Sequence, residues 1–329
     1  MQIIPTGSDP PPSAPLTGPA VWTAADVGRG DWLKPIPPAC LAEIDRFVAT
    51  LRRNPMRIEL LGQEDYPLDA CREFMAGTVR RPLDDGVGFA VLDRLPVDRY
   101  SKEEMKSVYW VLSSMLARPV AQSFDGRLLY DVRDIGVKMD TRVRGDLTNQ
   151  DLSWHTDYGF NFPPPYIGLL VLRTAQSGGL SSVSSFLTAH EELARARPDL
   201  LARLYRPFVW NRQGEHPEDD PIVHRYPVYW RHDGRVKARF VKWLLYKGYE
   251  LVGEDFDALG REAIETLFDT LSLPGHRVDF TLEAGQIQFL NNMAVAHCRT
   301  EYVDWPDEDR RRHLVRIFLR DGGLRSYMG

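Results

Sequence analysis

Three residues have side chains and positions suited to binding one metal ion: His155, Asp157 and His297. In an extended strand, residues two positions apart point to the same side, so His155 and Asp157 can offer an imidazole nitrogen and a carboxylate oxygen to one ion. His297 follows the apolar segment 287–290 and can approach from a neighbouring strand. Two imidazoles and one carboxylate on one face of an octahedral ion leave the opposite face open, as in iron(II) oxygenases. The sequence therefore predicts an iron(II) site with room for a bidentate oxoacid and O2.

A histidine followed two positions later by an acid is weak evidence alone, because the chain contains two other such triplets. His190-Glu191-Glu192 stands at a predicted helix start, where acids serve capping and the helix dipole. His216-Pro217-Glu218 lies in an acidic segment typical of a solvated turn. Neither is accompanied by the residues that follow the first triplet.

A cosubstrate carboxylate needs a fixed cation, and arginine is preferred because its planar fork binds a carboxylate bidentately. Arg312 and Arg316 lie on one face of the strand-like segment 312–319. An arginine on the inward face of an apolar strand is costly unless an anion is near. A one-residue shift would make Arg311 the cosubstrate partner; the paired spacing favours Arg312, and the alternative stays open at this point.

The order of these motifs resembles that of the taurine/2,4-dichlorophenoxyacetate dioxygenase family, in the clavaminate synthase-like group. The resemblance extends over about residues 145 to 320 and is carried by Trp154-His155-x-Asp157, Pro163-Pro164-Pro165, Gly178-Gly179-Leu180-Ser181, Asn292 ahead of His297, and Arg312-x-x-x-Arg316. It implies a double-stranded β-helix, iron(II), 2-oxoglutarate and oxidation of an aliphatic carbon by O2.

The resemblance also implies roles for single residues. His155, Asp157 and His297 match the iron ligands, and Arg312 matches the arginine that binds the distal carboxylate of 2-oxoglutarate. Ser181 stands where family members often have a threonine that binds the same carboxylate. Arg316 matches a second arginine that binds an anionic substrate in some members. Tyr158 and Phe160 belong to the loop after the metal triplet, which often borders the substrate cavity.

Four amphipathic segments predict helices that would support this site. They cover 37–53, a segment after the capping box of Ser101 and Glu104, a segment after Thr188 and Glu191 that restarts near Pro198, and 256–271. Short apolar or alternating segments predict strands at 87–95, 165–174, 180–187, 205–211, 226–231, 277–282, 286–290 and 313–320. Many short strands without regular strand–helix alternation predict a mainly β chain with a jelly-roll core flanked by helices.

The domain organisation is expected to be simple. Residues 1–20 are rich in proline and are predicted to be a disordered arm. No linker divides the remainder, so 21–329 is predicted to be one oxygenase domain with an inserted lid-like region near 211–275.

Composition excludes several classes of protein. The net charge of −5 is spread along the chain, without the clustered basic face that nucleic-acid binding needs. No apolar stretch approaches the length of a membrane span. The three cysteines, Cys40, Cys71 and Cys298, are widely spaced, which favours a cytoplasmic location. Homo-oligomer formation is left open.

The expected substrate is small and carries a carboxylate or another anion, such as an amino acid or a specialised metabolite. Arg316 suits an anion, and the segment 211–250 offers further cations, namely Arg225, Lys237, Arg239 and Lys242. Hydroxylation, desaturation and ring closure are all compatible with the sequence. One alternative function is a non-catalytic metal-binding β-barrel that acts as a ligand sensor or scaffold. A zinc hydrolase is disfavoured, because the chain lacks an HExxH helix and such an enzyme gives Arg312 no role.

Overall fold

The computed structural model describes residues 10–136 and 147–327, and the first nine residues of the predicted arm lie outside this range. The strands are β1 (Leu33–Pro35), β2 (Phe89–Asp93), β3 (Arg118–Val120), β4 (Leu129–Val132), β5 (Leu152–His155), β6 (Tyr166–Arg173), β7 (Ser177–Gly178), β8 (Ser181–Ser185), β9 (Phe208–Asn211), β10 (Val223–Tyr226), β11 (Tyr229–His232), β12 (Arg235–Ala238), β13 (Arg277–Phe280), β14 (Ile287–Asn291), β15 (Val295–Arg299), β16 (Tyr302–Val303) and β17 (His313–Arg320). The helices are α1 (Arg29–Trp32), α2 (Pro38–Arg53), α3 (Asp69–Glu73), α4 (Arg81–Asp85), α5 (Lys102–Leu116), α6 (Phe186–Ala196), α7 (Pro198–Leu204), α8 (Lys242–Val252) and α9 (Ala258–Ser272).

Two sheets form the centre of the molecule. The larger has the order β1-β2-β14-β6-β17-β3, and β4 also pairs with β17. The smaller has the order β13-β8-β15-β5. Neighbouring strands in both sheets are antiparallel except β1 and β2, which are parallel. The predicted mainly β jelly roll with flanking helices is confirmed.

The larger sheet is buried on both faces, and strand β2 shows how. Phe89 and Val91 belong to the core shared with the smaller sheet, whereas Ala90 and Leu92 belong to a second core shared with α2 and α5. Because successive side chains of a strand point to opposite faces, such a strand is apolar throughout. In β17 the same alternation directs Leu314 and Phe318 inward, and Arg316 with them.

Local signals explain most helix boundaries. Ser101 caps α5 as predicted: its Oγ accepts from the Glu104 amide, and Glu104 Oε2 accepts from the Ser101 amide at 2.8 Å. The predicted start of the next helix at Thr188 is wrong. Ser185 caps α6, and the Thr188 hydroxyl donates to the Trp22 carbonyl at 2.7 Å, because a tertiary contact takes the side chain that the capping box would use.

The insertion predicted near 211–275 contains β10, which pairs with β9, the hairpin of β11 and β12, and the helices α8 and α9. No sequence pattern had predicted α8. Within the described parts of the chain, no helix is long and apolar enough to cross a bilayer.

Candidate metal centre and adjoining cavities

The two predicted histidine ligands face each other across adjacent strands. β15 pairs with β5 so that His297 stands opposite His155, and the two ring centroids are 4.1 Å apart. One potential ligand atom from each of His155, Asp157 and His297 lies within 4.8 Å of the others. The structure therefore gathers the three predicted ligands at one place.

Asp157 reaches this place from a turn. Strand β5 ends at His155, so the expectation that both ligands project from one strand is wrong for Asp157. The chain turns because the Thr156 amide donates to the Phe240 carbonyl at 2.7 Å, while the Asp157 amide donates to Asn292 Oδ1 at 2.8 Å. These two bonds direct the carboxylate towards His297, whose Nε2 is 3.9 Å from Asp157 Oδ2.

The donor set fits an iron(II) ion. The Ser153 carbonyl can only accept, so His155 Nδ1 donates to it at 2.8 Å and Nε2 keeps its lone pair. Burial, together with the proximity of His155 and the charge of Arg316, holds the pKa of His297 well below its usual range. Two neutral imidazoles and one carboxylate are the set that non-haem iron(II) centres use.

The carboxylate oxygen Oδ1 of Asp157 is bound by a series of hydrogen-bonded, buried polar side chains. Arg316 Nη1 donates to Asp157 Oδ1 at 3.0 Å, and Arg316 Nε donates to Gln122 Oε1 at 2.9 Å. The side-chain Nε2 of Gln122 donates in turn to the backbone carbonyls of Leu128 and Arg316. Because Arg316 takes Oδ1, the oxygen that faces His297 is the one left for a metal.

Asn292 fixes the backbone of the same turn. Its buried side chain accepts from the Asp157 amide and donates to the carbonyls of Asp157 and Pro164, at 2.8 and 3.1 Å. The three bonds join the end of β14 to the metal turn. Asn292 thus orients the turn without facing the metal itself.

Replacing Asn292 by alanine should weaken both folding and metal binding. Its buried bonding partners would lose their bonds, which should lower the free energy of unfolding by roughly 2–4 kcal/mol. Iron(II) affinity should fall about 10–100-fold, as for other residues that orient a ligand. Denaturant unfolding and anaerobic iron titration measure the two effects.

Asn291→Ala is the matched control, because Asn291 binds the Leu83 carbonyl and the Met293 amide and makes no bond to Asp157. We expect this variant to lose stability and to keep its iron affinity. Equal losses of iron affinity in both variants would show that Asn292 acts through folding alone.

A narrow cavity on one side of the metal centre contains the predicted cosubstrate residues. Ser181 and Arg312 line it together with His297 and Asp157. Burial and the nearby charge of Arg299 lower the pKa of Arg312 to about 10, which keeps the guanidinium protonated at neutral pH. Its Cζ lies 4.9 Å from the centroid of the Tyr302 ring. In the described parts of the chain no carboxylate pairs with this guanidinium, so the cavity suits a ligand carboxylate.

Arg311, the alternative to Arg312, lies elsewhere. Its side chain is exposed, and its Nε contacts the Trp305 carbonyl at 3.4 Å. The Arg312 amide donates to Asp304 Oδ1 at 2.7 Å just before β17 begins. The strand therefore turns Arg312 inward and leaves Arg311 outside.

A wider cavity of about 580 Å³ opens on the other side of the centre. Tyr158 and Phe160 line it, as expected, with Phe318 from β17 and Trp243 from α8. Its volume is in the range of small-molecule sites. Leu152, His155, Asp157 and Arg316 line both cavities, so the metal centre lies at their junction.

The loop that carries Tyr158 and Phe160 is held in place by hydrogen bonds from arginine and histidine side chains to its backbone carbonyls. Arg239 donates to the carbonyls of Gly159 and Asn161, and His224 and Arg320 donate to the carbonyls of Phe160 and Phe162. Tyr158 itself has a positive φ of 58°, a conformation that bulky residues seldom adopt without such support. These hydrogen bonds connect this wall of the cavity to the inserted region, through Arg239 and His224, and to β17, through Arg320.

Of the four further cations that the segment 211–250 was expected to offer an anionic substrate, only Lys242 lines the wider cavity. Arg225 is exposed and pairs with Glu254. Arg239 is buried over the rings of Tyr226 and Trp230. Lys237 lies in β12, outside the cavity lining.

Several residues of the site were not predicted. Arg299 lines the narrow cavity and donates to the carbonyls of Thr148 and Gln150. A signal for it exists, since it lies two positions after His297 on the same strand. For Gln122 and Glu265 no local pattern marks a site, and their positions depend on distant contacts.

Comparison with known proteins decides the family. The model of the taurine catabolism dioxygenase TauD, TfdA family matches residues 57–318, most of the chain. The chain belongs to this family. It is a TauD/TfdA-type non-haem iron oxygenase that uses 2-oxoglutarate and O2, as the sequence predicted, and the His-Asp-His cluster agrees with that cofactor set.

Two curated relatives share nearly the whole TauD/TfdA region with this chain. FR-33289 synthase of Streptomyces rubellomurinus is 27% identical over 311 residues, which are 93% of this chain and 90% of the relative. The taurine hydroxylase-like protein SAT17 of Stachybotrys chartarum is 24% identical over 309 residues, 90% of this chain and 77% of the relative.

Solved structures share the TauD/TfdA fold at low sequence identity. Asparagine oxygenase in complex with Fe(II), 3-hydroxyasparagine and succinate superposes with a TM-score of 0.67 at 17% identity, covering 88% of this chain and 94% of that chain. The non-haem iron oxygenase OrfP in complex with Fe and alpha-ketoglutaric acid has a TM-score of 0.62 at 16% identity, with the same coverage. These likenesses confirm the predicted double-stranded β-helix.

Proposed function

We propose that this chain hydroxylates an aliphatic carbon of a small, anion-bearing substrate such as an amino acid, at a centre formed by His155, Asp157 and His297. The observation that carries the proposal is the meeting of two cavities at these residues. A cosubstrate and a substrate can then reach one ion from different sides. The oxygenase reaction requires this arrangement, because both must be close to the metal at the same time.

The narrow cavity is the proposed 2-oxoglutarate site. Arg312 supplies the buried cation for the distal carboxylate, and the Ser181 hydroxyl can donate to the same group. An ion pair of this kind is strong because the buried guanidinium is shielded from solvent. The inward-facing arginine thus has a role that a zinc hydrolase would not give it.

The wider cavity is the proposed substrate site. Arg316, Tyr158 and Phe160 would contact the substrate next to the metal, where Arg316 adds positive charge. An amino-acid-like substrate is supported by two structural neighbours, whose complexes contain hydroxyasparagine and hydroxy-L-arginine. The curated relatives add a synthase and a taurine hydroxylase-like protein.

Iron(II) in this site would supply the activation of O2, with 2-oxoglutarate converted to succinate and CO2 while one oxygen atom enters the substrate. The protein's own part is positioning. Arg312 and Ser181 hold the cosubstrate, Arg316 and Asn292 hold Asp157, and the aromatic wall excludes water from the substrate carbon.

Succinate formation tests the proposal. Protein loaded anaerobically with iron(II) and 2-oxoglutarate should show the weak visible band of the chelate, and on exposure to O2 it should release succinate at a rate that small amino acids increase. Chelate formation without any succinate would favour the ligand sensor or scaffold. Absence of the chelate in folded protein would contradict the oxygenase proposal.

A further inference from the structure

The wider cavity contains a second pair of opposite charges besides Asp157 and Arg316. Lys242, at the start of α8, forms an ion pair with Glu265 of α9, and both line the cavity. Their side chains are 30% and 41% exposed, against 11% for Asp157 and 8% for Arg316. The cavity therefore extends from a buried charge pair at the metal to a half-exposed pair at its mouth.

Glu265 is charged and has acceptor capacity to spare. The Tyr246 hydroxyl donates to Glu265 Oε1 at 2.5 Å, while Lys242 binds Oε2. Burial alone would raise the pKa of Glu265, but the bonds from Lys242 and Tyr246 outweigh it and lower that pKa. A carboxylate accepts about four hydrogen bonds and an ammonium donates three, so each group can bind a ligand without releasing its partner.

Aromatic faces surround the pair. Lys242 Nζ lies 4.4 Å from the centroid of the Phe268 ring, and Trp243 and Tyr246 line the same part of the cavity. Trp243 is 41% exposed, which is high for so large an apolar side chain. The mouth thus offers both charges beside apolar surface that could cover the stem of a ligand.

We propose that Lys242 and Glu265 bind the zwitterionic head of the substrate, with its anionic group at Lys242 and its protonated amine at Glu265. This inference rests on the proposed oxygenase function and specifies its substrate class as a free amino acid or an equivalent zwitterion. The head is held at the mouth, and the side chain extends along the wall formed by Phe318 and Tyr158 towards the metal centre.

The matching of charges selects a zwitterion. An anion alone at Lys242 would place a second negative charge beside Glu265, and a cation alone at Glu265 would place a second positive charge beside Lys242. A zwitterion gives each member of the pair an opposite charge and leaves the net charge of the mouth unchanged. Like-charge contacts then exclude substrates that carry only one of the two groups.

A purely structural role for the pair, which would tie α8 to α9, predicts a different result from a charge exchange. In the double variant Lys242→Glu/Glu265→Lys the two helices keep an ion pair, but each charge occupies the other's position. A structural role predicts retained activity, whereas recognition predicts loss. Lys247 and Glu250 form an exposed pair on α8 outside the cavity, so Lys247→Glu/Glu250→Lys is the matched control.

The experiment uses the full chain with iron(II) and 2-oxoglutarate, and the probes are the proteinogenic L-amino acids with their Nα-acetyl and amide derivatives. Substrate-stimulated succinate formation gives kcat/KM for each. We expect acetylation or amidation of the best amino acid to lower kcat/KM about tenfold or more, since a hydrogen bond to a charged group is lost. Glu265→Gln should lower kcat/KM for the free amino acid and weaken discrimination against its Nα-acetyl derivative. Lys242→Met should lower kcat/KM for the free amino acid and weaken discrimination against its amide derivative. The exchanged pair should lose most activity.

Several outcomes would overturn the inference: equal kcat/KM for free and blocked amino acids, full activity of the exchanged pair, or no stimulation by any probe. In each case the 2-oxoglutarate chelate and unstimulated succinate formation would still be observed if the proposed function holds. Loss of the chelate itself in wild-type protein would instead remove the function on which the inference rests.

Discussion

Protein in which Asp157 is replaced by alanine should bind iron(II) at least about 100-fold more weakly than wild type and form no measurable succinate. Asp157 supplies the only carboxylate of the three-residue cluster that the described chain places at this site, and loss of a ligand exceeds the 10–100-fold effect of losing a residue behind one. Anaerobic titration with iron(II), competed by a coloured chelator, measures the affinity.

Two further variants separate metal binding from folding. Asp157→Asn can still accept the bond from Arg316 Nη1, so it should fold normally and lack the charge that the metal needs. His216→Ala/Glu218→Ala removes both polar side chains of the triplet His216-Pro217-Glu218, in which His216 Nδ1 donates to the Pro217 carbonyl. This variant should leave iron affinity unchanged. Unaltered iron binding in Asp157→Asn would place the metal elsewhere.

Replacement of Arg312 by alanine should weaken 2-oxoglutarate binding by about 30-fold to several thousand-fold. Removing one partner of a buried charge pair costs roughly 2–5 kcal/mol, and each 1.4 kcal/mol is about tenfold in affinity. Arg312→Lys should recover only part of the loss, since an ammonium cannot bind a carboxylate bidentately. The intensity of the iron–2-oxoglutarate band as a function of cosubstrate concentration gives the dissociation constants.

Arg311→Ala is the control that the sequence itself provides. Its side chain is exposed and contacts the Trp305 carbonyl, so 2-oxoglutarate affinity should stay within about twofold of wild type, the range expected of an exposed charge. If Arg311→Ala showed the larger loss, the proposed assignment of Arg312 would be wrong and the alternative spacing would be right.

The Lys242–Glu265 pair and Arg316 are expected to have different roles in the wider cavity. Arg316 is engaged by Asp157 and Gln122, and its first effect is to hold the ligand oxygen. Lys242 stands at the mouth, with more exposed surface and with Glu265 as its partner. A substrate anion next to the metal would disturb the Asp157 contact, which is a further reason to expect the head group at the mouth.

The predicted arm, the lid-like role of the insertion, the cytoplasmic location and homo-oligomer formation stay predictions. Cys40, Cys71 and Cys298 are free cysteines in the structure. Size-exclusion chromatography with light scattering measures the oligomeric state directly.

The sequence by itself predicted the candidate metal ligands and the inward direction of Arg316, and it determined the mainly β fold. These depend on short-range rules: alternation along a strand sets the face of each residue, and apolar runs show which strands are buried on both sides. His155, Asp157 and His297 could therefore be named as candidate ligands from residue type and order, whereas the roles of Ser181 and Arg312 were implied by the resemblance to the TauD/TfdA family. The capping box at Ser101 was equally local, since its two bonds span three residues.

Only the tertiary structure decided which distant residues complete the site. Gln122 is 194 positions from Arg316, and Lys242 at the start of α8 meets Glu265 of α9 across 23 positions. The choice between Arg311 and Arg312 also depended on where β17 begins. The physical reason is that local patterns determine which way a side chain points, whereas its partner depends on strand register and helix packing, which arise from contacts far apart in the chain.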